Sequence, residues 1–279
     1  MNKVFSEYTS SDGAFSFHHS LSVDNTKLNP QAHKQFEFLY LLKGEIKYYI
    51  EGEEYLVNSG DAIFVSPNQI HSLQANPKYE FERITVMFDI ETIGKMLSVG
   101  GMKIDKESFS DTSCYRVIPK AMLEVSGIKK HMLGFLDYEK EKTGDIFVLT
   151  KILNLIMGLE KIFEETERGH VPSRVDHVVK AAVDYIDKNI CSSLTLDSIC
   201  AAVFVSKSTL CHKFVKAMHI SINRFVAIKK VHYASKLMRQ GMGAIEAGMT
   251  VGYKQYTTFY HNYKQIVGCS PADAKFSDN

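Results

Sequence analysis

The sequence has no long hydrophobic segment, because nowhere do eighteen apolar residues follow one another. A helix needs about 20 mainly apolar residues to span a bilayer, so no membrane span is predicted. The opening segment, MNKVFSEYTSSDG, carries one lysine with no apolar run behind it and does not resemble a signal peptide. We therefore expect a cytoplasmic protein that does not contact a membrane.

Cysteine is scarce and follows no recognised spacing. The five cysteines are odd in number and contain no Cys-x-x-Cys pair, which predicts reduced, mostly buried thiols and neither disulfides nor a zinc site. The sequence also lacks a phosphate-binding loop and an evident nucleophile–base pair, so we predict no catalytic residue, metal or cofactor. The cysteines are Cys114, Cys191, Cys200, Cys211 and Cys269.

The amino-acid composition is typical of a globular protein, but charge is unevenly distributed along the chain. The 279 residues are 45% hydrophobic and 23% charged, a length that fits two or three compact units. Residues 173–279 hold 14 Lys and Arg against 7 Asp and Glu, or +7, whereas the first 172 hold 19 against 25, or −6. The basic part favours a polyanion such as DNA, although an ordinary solvated surface can carry the same excess.

Short β-branched and aromatic runs, separated by turn signals, fill residues 36–88. The turn signals are KGE, EGEE, NSGD and SPNQ. Their even spacing predicts a small β barrel or sandwich. The predicted strands are Phe36–Leu42, Ile46–Ile50, Tyr55–Val57, Ala62–Val65 and Ile84–Phe88.

From about residue 120 to 168 the apolar residues are spaced three and four apart, which predicts an amphipathic helix. Its apolar face either packs on the barrel or pairs with the same helix of a second subunit, and two heptads are too few to decide. The polar stretch ETERGHVPS that follows predicts an interdomain linker. The dimerisation hypothesis names Ile146, Leu149, Leu153 and Ile156.

The last third of the chain contains a weak internal repeat, in which residues 195–221 align with 244–270 at an offset of 49. Each copy is predicted to be a short helix, a tight break and a longer amphipathic helix, the pattern of a helix-turn-helix unit. Identical residues are few, so the prediction of two helix-turn-helix units rests on this shared helical pattern. The aligned pairs include Asp197 with Glu246, Phe204 with Tyr253, Leu210 with Phe259, and Phe214 with Tyr263.

The second helix of such a unit enters the major groove of DNA, so its outward face must carry hydrogen-bonding groups. The inward residues of the two copies are Leu210 with Phe214 and Phe259 with Tyr263, and the remaining residues suit phosphates and base edges. The predicted DNA contacts are Lys207, Ser208, Thr209, Cys211, His212, Lys213 and Lys216 in the first unit and Lys254, Gln255, Tyr256, Thr257, Thr258, His261 and Lys264 in the second.

A helix from about Asn223 to Gln240 is predicted to join the two units. Eighteen helical residues span roughly 27 Å, and successive major grooves on one face of a duplex lie about 34 Å apart. The spacer could therefore place both reading helices on one duplex. The alternative is a helical bundle with solvated charges. The residues predicted to face inward are Phe225, Ile228, Val231, Ala234, Leu237 and Met238.

These segments resemble the AraC/XylS family of bacterial transcription regulators across residues 175–276. LTLDSICAAVFVSKSTLCHKF is similar to the family's first helix-turn-helix, VHYASKLM to its connecting helix and VGYKQYTTFYHNYKQIVGCSP to its signature second unit. The resemblance implies a sequence-specific DNA-binding regulator, and activation through RNA polymerase is the family's usual mode. The matching signature positions are Gly252, Tyr253, Phe259, Tyr263, Lys264, Gly268, Ser270 and Pro271.

The chain also departs from the family pattern. His212 and His261 stand where the family usually places arginine on each recognition helix, which removes the arginine fork but leaves a side chain that can donate. Ala244 and Gly248 replace bulkier or better helix-forming residues. Because glycine inside a helix costs up to about 1 kcal/mol relative to alanine, we expect a second unit that is either marginal or fully ordered only on DNA.

The front half resembles the cupin-like domain with which members of this family bind a small effector. AHKQFEFLYLLKGE and NSGDAIFVSPNQIHS are similar to the paired cupin motifs. Two histidines and a carboxylate could also bind a divalent metal, although Gln31 stands where metal-binding cupins have their first histidine. Tyr40, Tyr48 and Tyr49 could stack on a sugar-like effector or pack within the strands. The matching cupin positions are His33, Glu37, Gly44, Gly60, Pro67 and His71, and the predicted effector contacts are Gln31, His33, Glu37, Tyr40, Tyr48 and His71.

The predicted fold is α+β: a cupin-like β barrel in residues 1–115, a helical dimerisation and linker region in 116–172, and an all-α domain with two helix-turn-helix units joined by a helix in 173–279. We expect a homodimer that regulates transcription by binding double-stranded DNA and a small effector. Two alternatives are a metal-dependent cupin enzyme that uses His33, Glu37 and His71, and a regulator controlled by a protein partner.

Overall fold

The computed structural model describes residues 2–22, 27–104, 109, 116–141, 144–165 and 176–274. The chain divides into two compact units, one formed by residues 1–50 and 54–173 and the other by residues 51–53 and 174–279. The predicted linker beyond Glu165 and the side chain of Cys114 lie outside the described residues. Among the described helices, none is both long and apolar enough to cross a membrane.

Two β sheets form the framework of the first unit. The strands are β1 (Asn2–Thr9), β2 (Phe15–Ser22), β3 (Lys27–Gln31), β4 (Phe36–Lys43), β5 (Glu45–Ile50), β6 (Glu53–Asn58), β7 (Ala62–Val65), β8 (His71–Ala75), β9 (Phe81–Phe88) and β10 (Val117–Ile118). The six-stranded sheet has the order β1-β2-β9-β4-β7-β10 and the four-stranded sheet the order β3-β8-β5-β6. The pairs β2–β9, β4–β9 and β4–β7 are antiparallel.

The six-stranded sheet separates two cores because side chains alternate between its faces. Along β4, Phe36, Phe38 and Tyr40 belong to the core on the helix side, whereas Leu39 and Leu41 belong to the core facing the four-stranded sheet. Every predicted strand is present. The prediction missed β1, β2, β3 and β8, whose polar residues interrupt the apolar runs, and it missed the two-residue strand β10.

Helices cover one face of the six-stranded sheet. They are α1 (Ile90–Val99), α2 (Lys120–Val125), α3 (Ile128–Leu133), α4 (Tyr138–Glu141) and α5 (Gly144–Glu165). Along α5, Ile152, Leu155 and Leu159 are fully buried in the same core as the sheet's phenylalanines, and the ring of Phe163 lies 5.9 Å from that of Phe64. One face of this helix therefore packs on the barrel.

Residues 176–274 of the second unit form helices joined by short turns, with no strand among them. Its helices are α6 (His177–Lys188), α7 (Leu196–Val203), α8 (Lys207–Met218), α9 (Ile222–Arg239), α10 (Ala244–Thr250) and α11 (Tyr256–Val267). Helix α9 serves both halves: its Phe225 packs edge-on against Phe214 of α8 at 5.2 Å, and its Val231 and Ala234 share a core with Phe259 of α11. The α+β class and the paired helix-turn-helix arrangement are confirmed.

The two helix-turn-helix units begin differently. Thr195 caps α7 in a reciprocal capping box with Ser198, and Ser206 caps α8 through its hydroxyl. The caps of α10 and α11 are Gly243 and Gln255, which make no side-chain capping hydrogen bond. The second unit therefore depends more on packing and less on local hydrogen bonds.

The structure corrects the alignment of the repeat. The second helices do align at an offset of 49, since Ser206 and Gln255 are both N-caps. The first helices align at 48 instead: their N-caps are Thr195 and Gly243, and Phe204 shares its positive φ with Gly252 and not with Tyr253. The two N-caps of the second copy are therefore one residue farther apart than those of the first, which a uniform offset could not reveal.

The packing of α10 against α11 requires a glycine at position 248. A Cβ added at this position would lie 2.8 Å from both Cγ and Cδ1 of Phe259, and Phe259 is fully buried. The close approach of α10 to α11 therefore depends on the missing side chain. The expected weakening of the helix by glycine is offset by this contact.

The prediction of mostly buried thiols is wrong for three of the four described cysteines. Cys200 is buried, Cys211 and Cys269 are half-buried, and Cys191 is exposed. Cys200 is buried because it lies on the inner face of the short helix α7, beside Ile199. The other three lie at helix ends or on partly open faces, which spacing in the sequence does not reveal.

We predict that Gly248→Ala lowers the free energy of unfolding of the second unit by about 1–3 kcal/mol, because overpacking against Phe259 outweighs the gain in helix propensity. Chemical denaturation of the full chain, followed by helical circular dichroism, measures this change. The control is Met249→Ala, since Met249 is 60% exposed on the same helix and its loss should change stability by less than about 0.5 kcal/mol. Equal stability of the two variants would contradict the packing role.

Candidate functional site

A buried carboxylate lies at the centre of a polar cluster inside the first unit. Glu37 is on the face of β4 turned away from the helices, and it is 5% exposed. The hydroxyl of Tyr48 on β5 donates to Oε1 of Glu37 at 2.7 Å. Oε2 lies 3.0 Å from Nε2 of His33 and 3.4 Å from Nε2 of His71. The predicted residues Glu37, Tyr48, His33 and His71 therefore come together.

These contacts determine the charge of the carboxyl group. Burial alone would raise the pKa of Glu37, but the charge of His71 and the hydrogen bonds from His33 and His71 hold this pKa well below its usual range. Burial, together with the charge of Glu37, raises the pKa of Tyr48 well above its usual value. Glu37 is therefore ionised at neutral pH, and Tyr48 keeps its proton and donates it.

Backbone carbonyls orient both imidazole rings. Nδ1 of His33 lies 2.9 Å from the carbonyl oxygen of Gln35, and Nδ1 of His71 lies 2.9 Å from that of Gln69. A protonated Nδ1 donates in both cases and directs Nε2 toward Glu37. Gln31 extends the cluster, since its Nε2 lies 3.3 Å from Nε2 of His71.

The cluster has the donor set of a divalent-metal site. One ligand atom from each of His33, Glu37 and His71 lies within 4.8 Å of the others, and nitrogen and carboxylate donors of this kind suit manganese, iron or zinc. Binding would require each Nε2 to be free of hydrogen, so a metal would displace the hydrogen bonds to Glu37. The geometry fits such an ion after this rearrangement.

A cavity of about 150 Å³ opens beside the cluster. Gln31, Glu37, Tyr48 and His71 line it, together with residues that the prediction missed. Tyr48 packs nearly parallel to His71, with ring centroids 5.9 Å apart, so its face is already covered. The missed lining residues are His18, Leu28, Leu39, Ser72, Leu73, Arg83, Thr85 and Met87.

Tyr40 does not line this cavity, contrary to the prediction. It is 3% exposed in the core on the helix side of the sheet. The reason is the alternation of strand side chains: Tyr40 is three residues after Glu37 on β4, and an odd separation puts two residues on opposite faces. The same alternation places Arg83 and Thr85, which are two residues apart on β9, on one face of the sheet, where both line the cavity.

The first predicted DNA-reading face lies on α8. Leu210 and Phe214 are fully buried, as expected of anchors, and His212 is exposed between them. Two of the lysines carry intramolecular partners: Lys207 lies 2.6 Å from Asp197, and Lys213 pairs with Asp176. The exposed predicted contacts are Lys207, Ser208, Thr209, His212 and Lys216, and the half-buried ones are Cys211 and Lys213.

The second predicted face lies on α11 and the turn before it. Phe259 and Tyr263 are buried anchors, the latter 3.3 Å from the hydroxyl of Ser235 on α9. Tyr256 is half-buried, and its ring lies 5.9 Å from that of Phe259, so it supports the helix more than it faces outward. The exposed predicted contacts are Lys254, Gln255, Thr257, Thr258, His261 and Lys264.

The four residues of the dimerisation hypothesis do not share one face of α5. Ile156 is 2% exposed within the core of the first unit, whereas Ile146 is 77% exposed. Leu149 and Leu153 are partly buried at the edge of that core. The exposed apolar stripe of the helix continues from them to Met157, which is 57% exposed.

Two family models match the chain, one in each unit. A model described as an AraC-like ligand binding domain matches residues 16–99, and a helix-turn-helix domain model matches residues 199–275. The first match contains the strands that carry Glu37, Tyr48, His71 and Arg83. The second begins within α7 and covers α8 to α11.

Two bacterial transcription regulators and one crystal structure are similar over most of the chain. YbfI of Bacillus subtilis, an HTH-type transcriptional regulator, is 23% identical over 79% of this chain and 77% of its own. YdiP of Escherichia coli, also an HTH-type transcriptional regulator, is 19% identical over 85% and 77%. ToxT from Vibrio cholerae aligns over 93% of this chain and 96% of its own, at 13% identity and a TM-score of 0.40.

The two domain matches and the two regulators agree with the packing described above. Each half of the second unit has a short bracing helix, and each has an exposed helix anchored by two buried side chains. The first unit encloses a polar cavity within the matched ligand-binding region. The chain belongs to the AraC family of transcription regulators, with an AraC-like ligand-binding domain followed by a helix-turn-helix DNA-binding domain.

Proposed function

We propose that this chain is a cytoplasmic transcription activator whose N-terminal unit binds a small effector and thereby controls sequence-specific DNA binding by the C-terminal unit. The observation that carries the proposal is the pair of exposed helix faces on α8 and α11, each held by two buried anchors on the common helix α9. Residues 1–115 would sense the effector, 116–172 would dimerise and link, and 173–279 would bind DNA.

Both reading faces would contact one duplex. Helix α9 has 18 residues and spans about 27 Å at 1.5 Å per residue, which is compatible with helices in successive major grooves. The exposed lysines would bind phosphates, and His212 and His261 would approach base edges. Lys213 would bind DNA only by giving up its pairing with Asp176, so its contribution should be smaller than that of Lys216.

The effector would act by shifting the population of a DNA-competent arrangement. The cavity beside Glu37 is the proposed site, because it joins hydrogen-bonding groups from β3, β4, β5, β8 and β9 with apolar wall residues. A ligand there would contact strands from both sheets of the first unit at once. Its contacts could therefore alter how the two sheets pack.

Dimerisation would use the exposed stripe of α5. Ile146, Leu149, Leu153 and Met157 follow one another at helical spacing of three or four residues, and Met157 takes the place that the sequence hypothesis gave to Ile156. Pairing this stripe with its counterpart from a second chain would bury the exposed side chains of Ile146 and Met157. In an activator, the dimer would present two DNA-binding units to adjacent half-sites and recruit RNA polymerase.

The direct experiment is selection of bound sequences from random duplex DNA, with the full chain beside the 173–279 fragment. Enrichment of two motifs about one helical turn apart would support tandem reading by α8 and α11. A different preference of the full chain would support control by the first unit. No enrichment by the full chain would contradict sequence-specific binding.

Replacing an anchor with a charge should abolish DNA binding. Leu210→Asp and Phe259→Asp each place a carboxylate at a fully buried position, which destabilises the corresponding helix-turn-helix unit by several kcal/mol. Footprinting on the selected sequence measures the loss. Ile245→Asp is the control, because it adds the same charge at a position that is 60% exposed on α10. Footprints retained by both anchor variants would contradict the assignment.

His212→Ala should weaken binding to the selected site by about 1–3 kcal/mol if His212 reads a base, and should change binding to random DNA much less. Fluorescence anisotropy with both duplexes gives the difference. Lys188→Ala, on the exposed last turn of α6, controls for the general effect of a surface substitution. Equal losses on the two duplexes would show that His212 contacts phosphate and not base.

Met157→Lys should convert the dimer to monomers, because two lysines would face each other across the proposed interface. Sedimentation equilibrium measures the dissociation constant, which we expect to rise by at least about tenfold, or 1.4 kcal/mol. Val125→Lys is the matched control, since Val125 is 86% exposed on α2, away from the stripe. A dimer unchanged by Met157→Lys would place the interface elsewhere.

A further inference from the structure

Two polar atoms inside the first unit make no hydrogen bond within the described part of the chain: Nη1 of Arg83 and Oγ of Ser20. Both atoms are shielded from solvent, and Ser20 as a whole is 3% exposed. Buried polar groups are hydrogen-bonded in the great majority of cases, because an unbonded one destabilises the fold. Two such groups therefore require an explanation.

The two atoms belong to neighbouring residues on one face of the sheet. Ser20 on β2 is paired directly with Arg83 on β9, and the next pair on that face is His18 with Thr85. Directly opposed residues in an antiparallel pair point to the same side. Arg83, His18 and Thr85 all line the cavity of about 150 Å³, so Arg83 lies at its wall and Ser20 lies directly beside Arg83 on the neighbouring strand.

We propose that Arg83 and Ser20 bind the carboxylate of a small organic acid in this cavity. The inference rests on the proposed function, because it names the chemical class of the effector for the same pocket. A guanidinium presents parallel N–H donors that match the two oxygens of a carboxylate, and the Ser20 hydroxyl adds a third donor.

Glu37, the buried carboxylate of the protein itself, does not bind Nη1 of Arg83. The oxygens of Glu37 face three donors already, from Tyr48, His33 and His71. The guanidinium of Arg83 instead lies over the ring of Phe81, with Cζ 4.5 Å from its centroid. Burial lowers the pKa of Arg83, and the charge of Glu37 offsets only part of this effect. A bound anion would compensate the rest.

The size of the cavity limits the acid. An engineered cavity of about 150 Å³ holds a benzene molecule, so about six non-hydrogen atoms fit here. That corresponds to an acid with three or four carbons. The hydroxyl of Thr85 and the imidazole of His18 line the same wall, and the hydroxyl of Ser72 lies on the facing sheet, so all three could contact a hydroxyl or keto group of the ligand.

The test uses the full chain with n-butyrate, L-lactate and pyruvate, each measured by calorimetry and by thermal unfolding. Butyramide and lactamide are the controls, because they have nearly the shape of butyrate and lactate without the charge. We expect at least one acid to bind and raise the Tm, and its amide to bind at least ten times more weakly. Equal binding of an acid and its amide, or no binding of any acid, would overturn the proposal.

Substitution of Arg83 distinguishes an arginine that binds a ligand from one that only stabilises the fold. Arg83→Met should raise the Tm of the ligand-free protein by a few degrees, because it removes an unbonded buried group, and should abolish the shift caused by the acid. Ser20→Ala should weaken acid binding less. A lower Tm for Arg83→Met, or an undiminished acid shift, would contradict the assigned role.

Arg116→Met is the matched control for stability. Arg116 is buried in the first unit, at 8% exposure, but unlike Nη1 of Arg83 its Nη1 has a partner and donates to Oε1 of Gln69 at 2.6 Å. Its loss should lower the Tm. A raised Tm for Arg83→Met together with a lowered Tm for Arg116→Met would support the distinction between an arginine that binds a ligand and one that is bonded within the protein. Tm changes of the same sign would count against it.

The outcome can be separated from that of the proposed function. Selection of DNA sequences by the untreated chain tests DNA binding without reference to any acid. If the chain selects DNA but only a neutral sugar raises its Tm, effector sensing stands and the carboxylate assignment is overturned. If an acid binds through Arg83 while no DNA sequence is selected, the pocket chemistry stands and the regulatory function is overturned.

Discussion

The alternation of side chains along β2, β4 and β9 determines how the first unit combines a stable core with a polar cavity. On the helix side, Phe36, Phe38 and Tyr40 pack with α5 in the larger core. On the other side, Glu37 and Arg83 face the four-stranded sheet. Because the period is two, one strand serves both purposes without a change in backbone geometry. A shift of register by one residue would bury the charges among the phenylalanines and turn the aromatic rings toward the cavity.

In the second unit the corresponding constraint is the shared helix α9. It is buried on more than one face, packing against α8 through Phe225 and against α10 and α11 through Val231 and Ala234. The positions of the two reading helices therefore depend on one rigid element. The close contact at Gly248 and the longer second turn adjust α11 to that element, so the two halves are similar in pattern and differ in detail.

Groups that are costly to the fold occur where the proposed function needs them. Glu37 is buried with a complete set of donors, and it holds His33 and His71 in place. Nη1 of Arg83 and Oγ of Ser20 are shielded from solvent without hydrogen-bonding partners among the described residues. Such groups weaken the empty protein and would be satisfied only by a ligand. This difference between an internally bonded carboxylate and an unbonded guanidinium gives the cavity its preference for an anion.

The fold class, most of the strands after residue 36 and the helices of the second unit follow from local patterns in the sequence, because periods of two and near 3.6 and the capping residues are local properties. The sequence also identified His33, Glu37 and His71 through the spacing of the cupin-like motifs, and both pairs of helix anchors. By contrast, it is the packing of distant elements that turns Tyr40 toward the core, buries Ile156 and pairs Arg83 with Ser20. These facts depend on which strand lies beside which, and on which helix face is covered. Such contacts join residues far apart in the chain, so no local pattern encodes them.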